Sequence, residues 1–122
     1  MIDDVSVAVR DLAAATRFYD ALLAVLGYRR LDNRETTVGY GKKYSEFWIN
    51  VRANAANSDG THICLRARST EVVGAFHTAA LKAGGTSDGA PGPRPHHGGN
   101  YYAAFIRDLD GNRIEAVTFT TR

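Results

Sequence analysis

The chain is poor in cysteine. Cys64 is the only one among 122 residues, so no intrachain disulfide can form, and that usage fits a reducing compartment. It also lacks any dense run of one charge. Fifteen Lys and Arg stand against 13 Asp and Glu, a formal charge of +2 spread along the chain. The short Lys42-Lys43 pair reads as a solvated turn, so nucleic acid is not an expected partner. No apolar run approaches the roughly 18 residues a membrane span needs. Met1-Ile2-Asp3-Asp4 has neither the basic nor the apolar region of a signal peptide, and the expected location is the cytoplasm.

What is present is enough apolar material for one core. The hydrophobic content is 44%, and the length is that of a single domain, 1–122. Asp4–Val9 alternates, with Val5, Val7 and Val9 on one side, which is the period of a half-buried strand. Asp11 is placed to cap a helix running to about Leu26, with Ala15, Phe18, Tyr19, Leu22, Leu23 and Leu26 as its apolar stripe. Gly27 is placed to end it. Tyr28–Leu31, Thr36–Tyr40 and Glu46–Arg52 are three further strand candidates, and Asn54–Gly60 has linker composition.

The order then restarts. Thr61–Ala67 alternates, Ser69 can cap a second helix, Val72, Val73, Phe76, Ala80 and Ala83 make its stripe, and Gly84-Gly85 ends it. A constant offset of 58 residues sets Asp4 on His62, Val5 on Ile63, Val7 on Leu65, Phe18 on Phe76 and Gly27 on Gly85. The sequence therefore predicts a tandem βαβββ duplication: module one at 1–52, a linker at 53–60 and module two at 61–118. The Gly/Pro-rich stretch Ser87–Asn100 is expected to be a long structureless loop, hence a lid or binding loop. Tyr101–Arg107 and Ile114–Phe119 flank Asp110-Gly111-Asn112 as two strands and a tight turn.

One residue breaks the last strand. Glu115 is a carboxylate between Ile114 and Ala116-Val117, and such a group must be solvated, paired (with Arg66 or Arg107, for example) or bound to a metal. Matching the final strands by their apolar faces sets Trp48 against Glu115. If each helix covers the apolar face of its strands, the other face carries Asp4, Ser6, Trp48, His62, Cys64 and Glu115. A pseudo-twofold arrangement would turn Asp4, Trp48, His62 and Glu115 toward one centre. One imidazole and two carboxylates suit a divalent Zn, Fe, Mn or Ni ion.

Several stretches make this chain resemble the vicinal oxygen chelate superfamily, the glyoxalase/bleomycin-resistance/extradiol dioxygenase group. They are Ile2–Leu12, Phe18-Tyr19, Thr61-His62-Ile63 and, most specifically, Asp108-Leu109-Asp110-Gly111-Asn112-Arg113-Ile114-Glu115. The resemblance implies an α+β fold of tandem βαβββ modules forming a curved, incompletely closed mixed sheet with helices outside. It implies metal positions at Asp4, His62 and Glu115, with a fourth at Trp48 in the glyoxalases. It also implies a homodimer that covers the open sheet. Asp4 stands where metal-binding members most often carry His or Gln, and Trp48 cannot bind a metal.

Two functions follow from the sequence. In the first, a divalent metal on His62, Glu115 and Asp4 chelates two oxygens of a small substrate in a lyase, isomerase or dioxygenase reaction, with Glu115 and Asp4 as catalytic groups and Asp4 as base if it is not a ligand. In the second, the protein is a metal-free binder that sequesters a small molecule or drug. Trp48, Tyr101 and Tyr102 then wall an apolar cup, and His62, Glu115 and Arg66 anchor the ligand. His96 and His97 on the expected lid are candidates for a proton shuttle or a replacement ligand, and Cys64 reads as a small cavity-lining thiol.

Overall fold

The computed structural model describes residues 1–55 and 61–120. The expected linker falls partly on 56–60, outside the described residues. The elements run β1 (Val5–Val9), α1 (Leu12–Ala24), β2 (Arg29–Asn33), β3 (Thr37–Gly41), β4 (Ser45–Val51), β5 (His62–Arg66), α2 (Thr70–Lys82), β6 (Thr86–Pro93), β7 (Tyr101–Arg107) and β8 (Arg113–Phe119). The eight strands make two four-stranded sheets of the same topology, β1-β4-β3-β2 and β5-β8-β7-β6. In each, the first strand lies parallel to the last and the others are antiparallel.

The two halves repeat in detail. Asp11 caps α1 by accepting from the amide of Ala14, and Ser69 caps α2 by accepting from that of Val72, both at 3.1 Å. Val5 pairs with Phe47 on β1 and β4, and Ile63 with Ile114 on β5 and β8. A bulge interrupts β2 between Arg30 and Asp32, and another interrupts β6 between Ser87 and Gly89. The 58-residue register ends with the helices. Gly84, not Gly85, takes the left-handed φ of +105° that Gly27 takes at +86°, so module two is one residue shorter at this turn.

Ser87–Asn100 is not a structureless loop. Its first part is β6, and Pro95–His97 form a single 3-10 turn. Glycine and proline are tolerated because β6 is an edge strand paired only with β7, and its bulges leave ladder positions unused. A composition that argues against a central strand therefore says little about an edge.

Both helices bury their stripes on the sheets. Phe18, Tyr19, Leu22 and Leu23 from α1 join Val73, Phe76 and Ala80 from α2 in one core with Val9, Phe47, Ile49, Ile106 and Ile114. A polar latch adds to this. The Asp108–Asn112 turn of module two reaches module one. Asp108 Oδ2 accepts from the buried Tyr19 hydroxyl at 2.5 Å, Asp110 Oδ1 accepts from the Arg10 amide at 3.0 Å, and Asn112 Nδ2 donates to the Ala8 carbonyl at 3.0 Å. Asp108 Oδ1 meanwhile accepts from the amides of Asp110 and Asn112 at 2.9 and 2.8 Å, which shapes the turn itself.

Candidate functional site

Strand alternation decides which side chains leave the core. On β5, Ile63 and Leu65 lie half-buried while His62, Cys64 and Arg66 are exposed. On β8 the register sets Glu115 between Cys64 of β5 and Phe105 of β7. Glu115 is 2% exposed, yet both its oxygens are satisfied. His62 Nε2 donates to Oε1 at 2.7 Å, and the Tyr101 hydroxyl donates to Oε2 at 2.5 Å. A buried carboxylate needs such donors, since losing them would leave a desolvated charge. Neither Arg66 nor Arg107 is the partner of Glu115. Arg66 lies over the Phe119 ring at 4.7 Å, and Arg107 pairs with Asp88 at 3.7 Å.

Tyr101 and Cys64, beside Glu115, hold their protons. Burial, and then the bond to Glu115, raises the Tyr101 phenol well above its ordinary range. Burial and the Glu115 charge push the Cys64 thiol up to about 12, so at neutral pH it is a thiol and not a nucleophile. The imidazole is the open side of the cluster, since the His62 side chain is 46% exposed. It lines a groove of about 320 Å³ whose other walls include Asp4, Tyr28, Glu46 and Cys64.

The remaining residues singled out in the sequence are divided. Trp48 is the counterpart of Glu115, but it lines a second groove of about 310 Å³ with Asp4, Ser6, Arg34, Thr37 and Asn50. Arg34, which the sequence reading missed, stands over the Trp48 ring at 5.0 Å. Only a cation beside the β2–β3 turn hinted at it. Asp4 touches both grooves, yet among the described residues no third His, Cys, Asp or Glu joins His62 and Glu115 into a set able to hold a metal ion. Within one chain the expected four-residue centre is therefore split. His96 and His97 sit on the 3-10 turn, where the His97 ring packs on Tyr101 at 4.9 Å. Tyr102 does not wall a cup with Tyr101. Adjacent residues of a strand face opposite ways, and Tyr102 packs on the core.

The donor chemistry of His62 and Glu115 suits a divalent ion. The two groups lie 2.7 Å apart, and they would hold an ion through the neutral imidazole and the carboxylate once the Nε2 proton moves off, to Nδ1 or to solvent. The other positions would be free for water or substrate oxygens.

The same fold recurs in known structures. A glyoxalase/bleomycin resistance protein from Albidiferax ferrireducens T118 is 34% identical, with a TM-score of 0.86 over 94% of this chain and 96% of that one. A glyoxalase/bleomycin resistance protein/dioxygenase family enzyme from Burkholderia phytofirmans PsJN is 19% identical, with a TM-score of 0.76 and 98% of each chain covered. The fosfomycin resistance protein FosX from Listeria monocytogenes is 16% identical, with a TM-score of 0.74 over 98% of this chain and 93% of that one; a mutant of it has been seen complexed with Mn(II) and 1S,2S-dihydroxypropylphosphonic acid. No curated protein matches. Residues 1–116 match one family as a whole, and the chain belongs to it: the Glyoxalase/Bleomycin resistance protein/Dioxygenase superfamily.

Proposed function

We propose that the protein binds a small, oxygen-rich molecule beside His62 and Glu115 and acts on it with a divalent metal held by these two residues, as a lyase, isomerase or dioxygenase. The supporting observation is the imidazole–carboxylate pair at 2.7 Å on the sheet face that β5 turns away from the core. When bound, the ion supplies Lewis-acid polarisation of substrate oxygens. The chain's own groups do the rest. Glu115 is kept from bulk water by its strand neighbours. Asp4, on the rim of the same groove, is the group placed to take a proton from a ligand there. Cys64 stays protonated and acts as wall. We also propose a homodimer, because among the described residues β1 and β2 of one sheet, and β5 and β6 of the other, are edge strands without a second strand partner, which a second copy could cover.

Calorimetric titration of chelator-treated protein with Zn²⁺, Mn²⁺, Fe²⁺ and Ni²⁺ tests the reading. Saturable binding at neutral pH, lost in His62→Ala and Glu115→Gln, is expected. No binding, or binding that both variants leave unchanged, defeats it.

One observation favours a second reading, a metal-free binder. Both oxygens of Glu115 are already engaged, and only two donors meet among the described residues. Under that reading, chelator treatment leaves small-molecule binding intact, and Trp48, the single tryptophan, reports it by fluorescence.

A further inference from the structure

We propose that Tyr101 is a positioning residue that spends one oxygen of Glu115 so that the other alone faces His62 and the bound ion. The inference deepens the metal reading and rests on it for its consequence, though not for its geometry. Tyr101 opens β7 and shares a strand face with Ala103 and Phe105, so its long side chain reaches Glu115 from four residues along the strand from Phe105, the residue paired with Glu115. Its hydroxyl donates to Oε2 at 2.5 Å, while Oε1 meets His62 Nε2 at 2.7 Å.

The phenol is held in place. The His97 ring lies against it at 4.9 Å with 33° between planes, and the Phe119 ring meets it edge-on at 5.4 Å and 88°. The 3-10 turn thus supports the carboxylate through Tyr101, and among the described residues neither of its histidines joins a metal-ligating set. The Tyr101 hydroxyl is the donor in this bond, so it occupies Oε2 directly.

A carboxylate can grip a cation through one oxygen or two. With Oε2 committed to Tyr101 and the carboxylate plane fixed, Glu115 offers one. That leaves a coordination place that a two-oxygen grip would fill, and a substrate presenting two oxygens needs two such places.

The test uses the full-length protein and Tyr101→Phe, which retains the ring and its stacking. In metal-free protein, ¹⁵N NMR follows the His62 Nε2–H that bonds to Glu115. In parallel, Mn(II) affinity and the visible spectrum of the Co(II) form are measured. The expected result is a displaced or lost Nε2–H signal, Mn(II) binding weaker by about 10–100-fold, and a Co(II) spectrum shifted toward higher coordination number. His97→Ala, which removes only the support of the ring, should move the same signals in the same direction by less. It also carries the test if Tyr101→Phe does not fold. An unchanged Nε2–H signal with unchanged Mn(II) affinity in a folded variant overturns the proposal. If the wild-type protein binds neither ion, the metal reading falls, and the Nε2–H signal alone decides whether Tyr101 positions Glu115.

Discussion

Trp48 and Glu115 occupy the same place in the two halves of the chain. Trp48 pairs with Ser6 on β1 and Gly39 on β3, and Glu115 pairs with Cys64 on β5 and Phe105 on β7. The duplicated frame keeps the position and changes its chemistry, from an indole wall in module one to a carboxylate in module two. The neighbours differ in size to match. The large indole has glycine beside it, and the smaller carboxylate has phenylalanine.

That pairing makes Gly39 critical. A Cβ there would lie 2.5 Å from Ser45 Oγ and 2.9 Å from Trp48 Cε3. Gly39→Ala should push the indole aside and cost about 1–3 kcal/mol as overpacking. Urea unfolding measures the cost, and a shifted tryptophan emission marks the displaced ring. Unchanged emission at full stability would show that the strand pair yields without strain.

The latch should be the most sensitive polar contact between modules. Asp108 is 6% exposed and Tyr19 is fully buried. Asp108→Ala strands the Tyr19 hydroxyl and the amides of Asp110 and Asn112 without their acceptor. A loss of about 3–4 kcal/mol is expected, against about 1 kcal/mol for Tyr19→Phe, which removes one donor only. The double variant should cost less than the sum, since the two share one bond. Denaturant unfolding of the four proteins checks this.

The neighbouring Asp110 sets a pH dependence. Burial raises its carboxyl from the ordinary 3.8, with the Asp108 charge adding, while the Arg10 amide and guanidinium pull the other way. The folded state therefore holds this proton more tightly than the unfolded state does. The resulting stabilisation is present below 3.8 and is lost as pH rises through the raised value. Asp110→Asn mimics the protonated form. Its stability relative to wild type should rise as pH is taken from about 3.5 to about 6. Parallel thermal melts across that range decide the sign, and a flat or falling difference refutes it.

Assembly is checked by light scattering. A homodimer predicts twice the chain mass of 13.3 kDa at micromolar concentration, and a clean monomer peak would remove that proposal.

Much of the frame was legible because it is written in local chemistry. Asp11 and Ser69 announce helix starts through short-range hydrogen bonds, and the valines of β1 announce a strand by their period. The 58-residue offset needs only that both halves obey the same local rules. β6 escaped because glycine and proline argue against a strand's interior, and only the sheet shows that this strand lies at an edge.

The sequence by itself determined the βαβββ repeat, its helices and every strand but β6, and the presence of His62 and Glu115 where a carboxylate among apolar residues demands a partner. Tertiary structure decided who the partners are. Glu115 could have met an arginine or solvent, and it meets His62 and Tyr101, from two strands 53 and 14 residues away in the chain. Asp108, legible only as a turn residue, finds Tyr19 across 89 residues. Asp4 and Trp48 share a groove apart from Glu115. Pattern along a chain fixes which face a side chain takes, but the group it meets there depends on how separate strands are brought together, and that is set by the packing of the whole core.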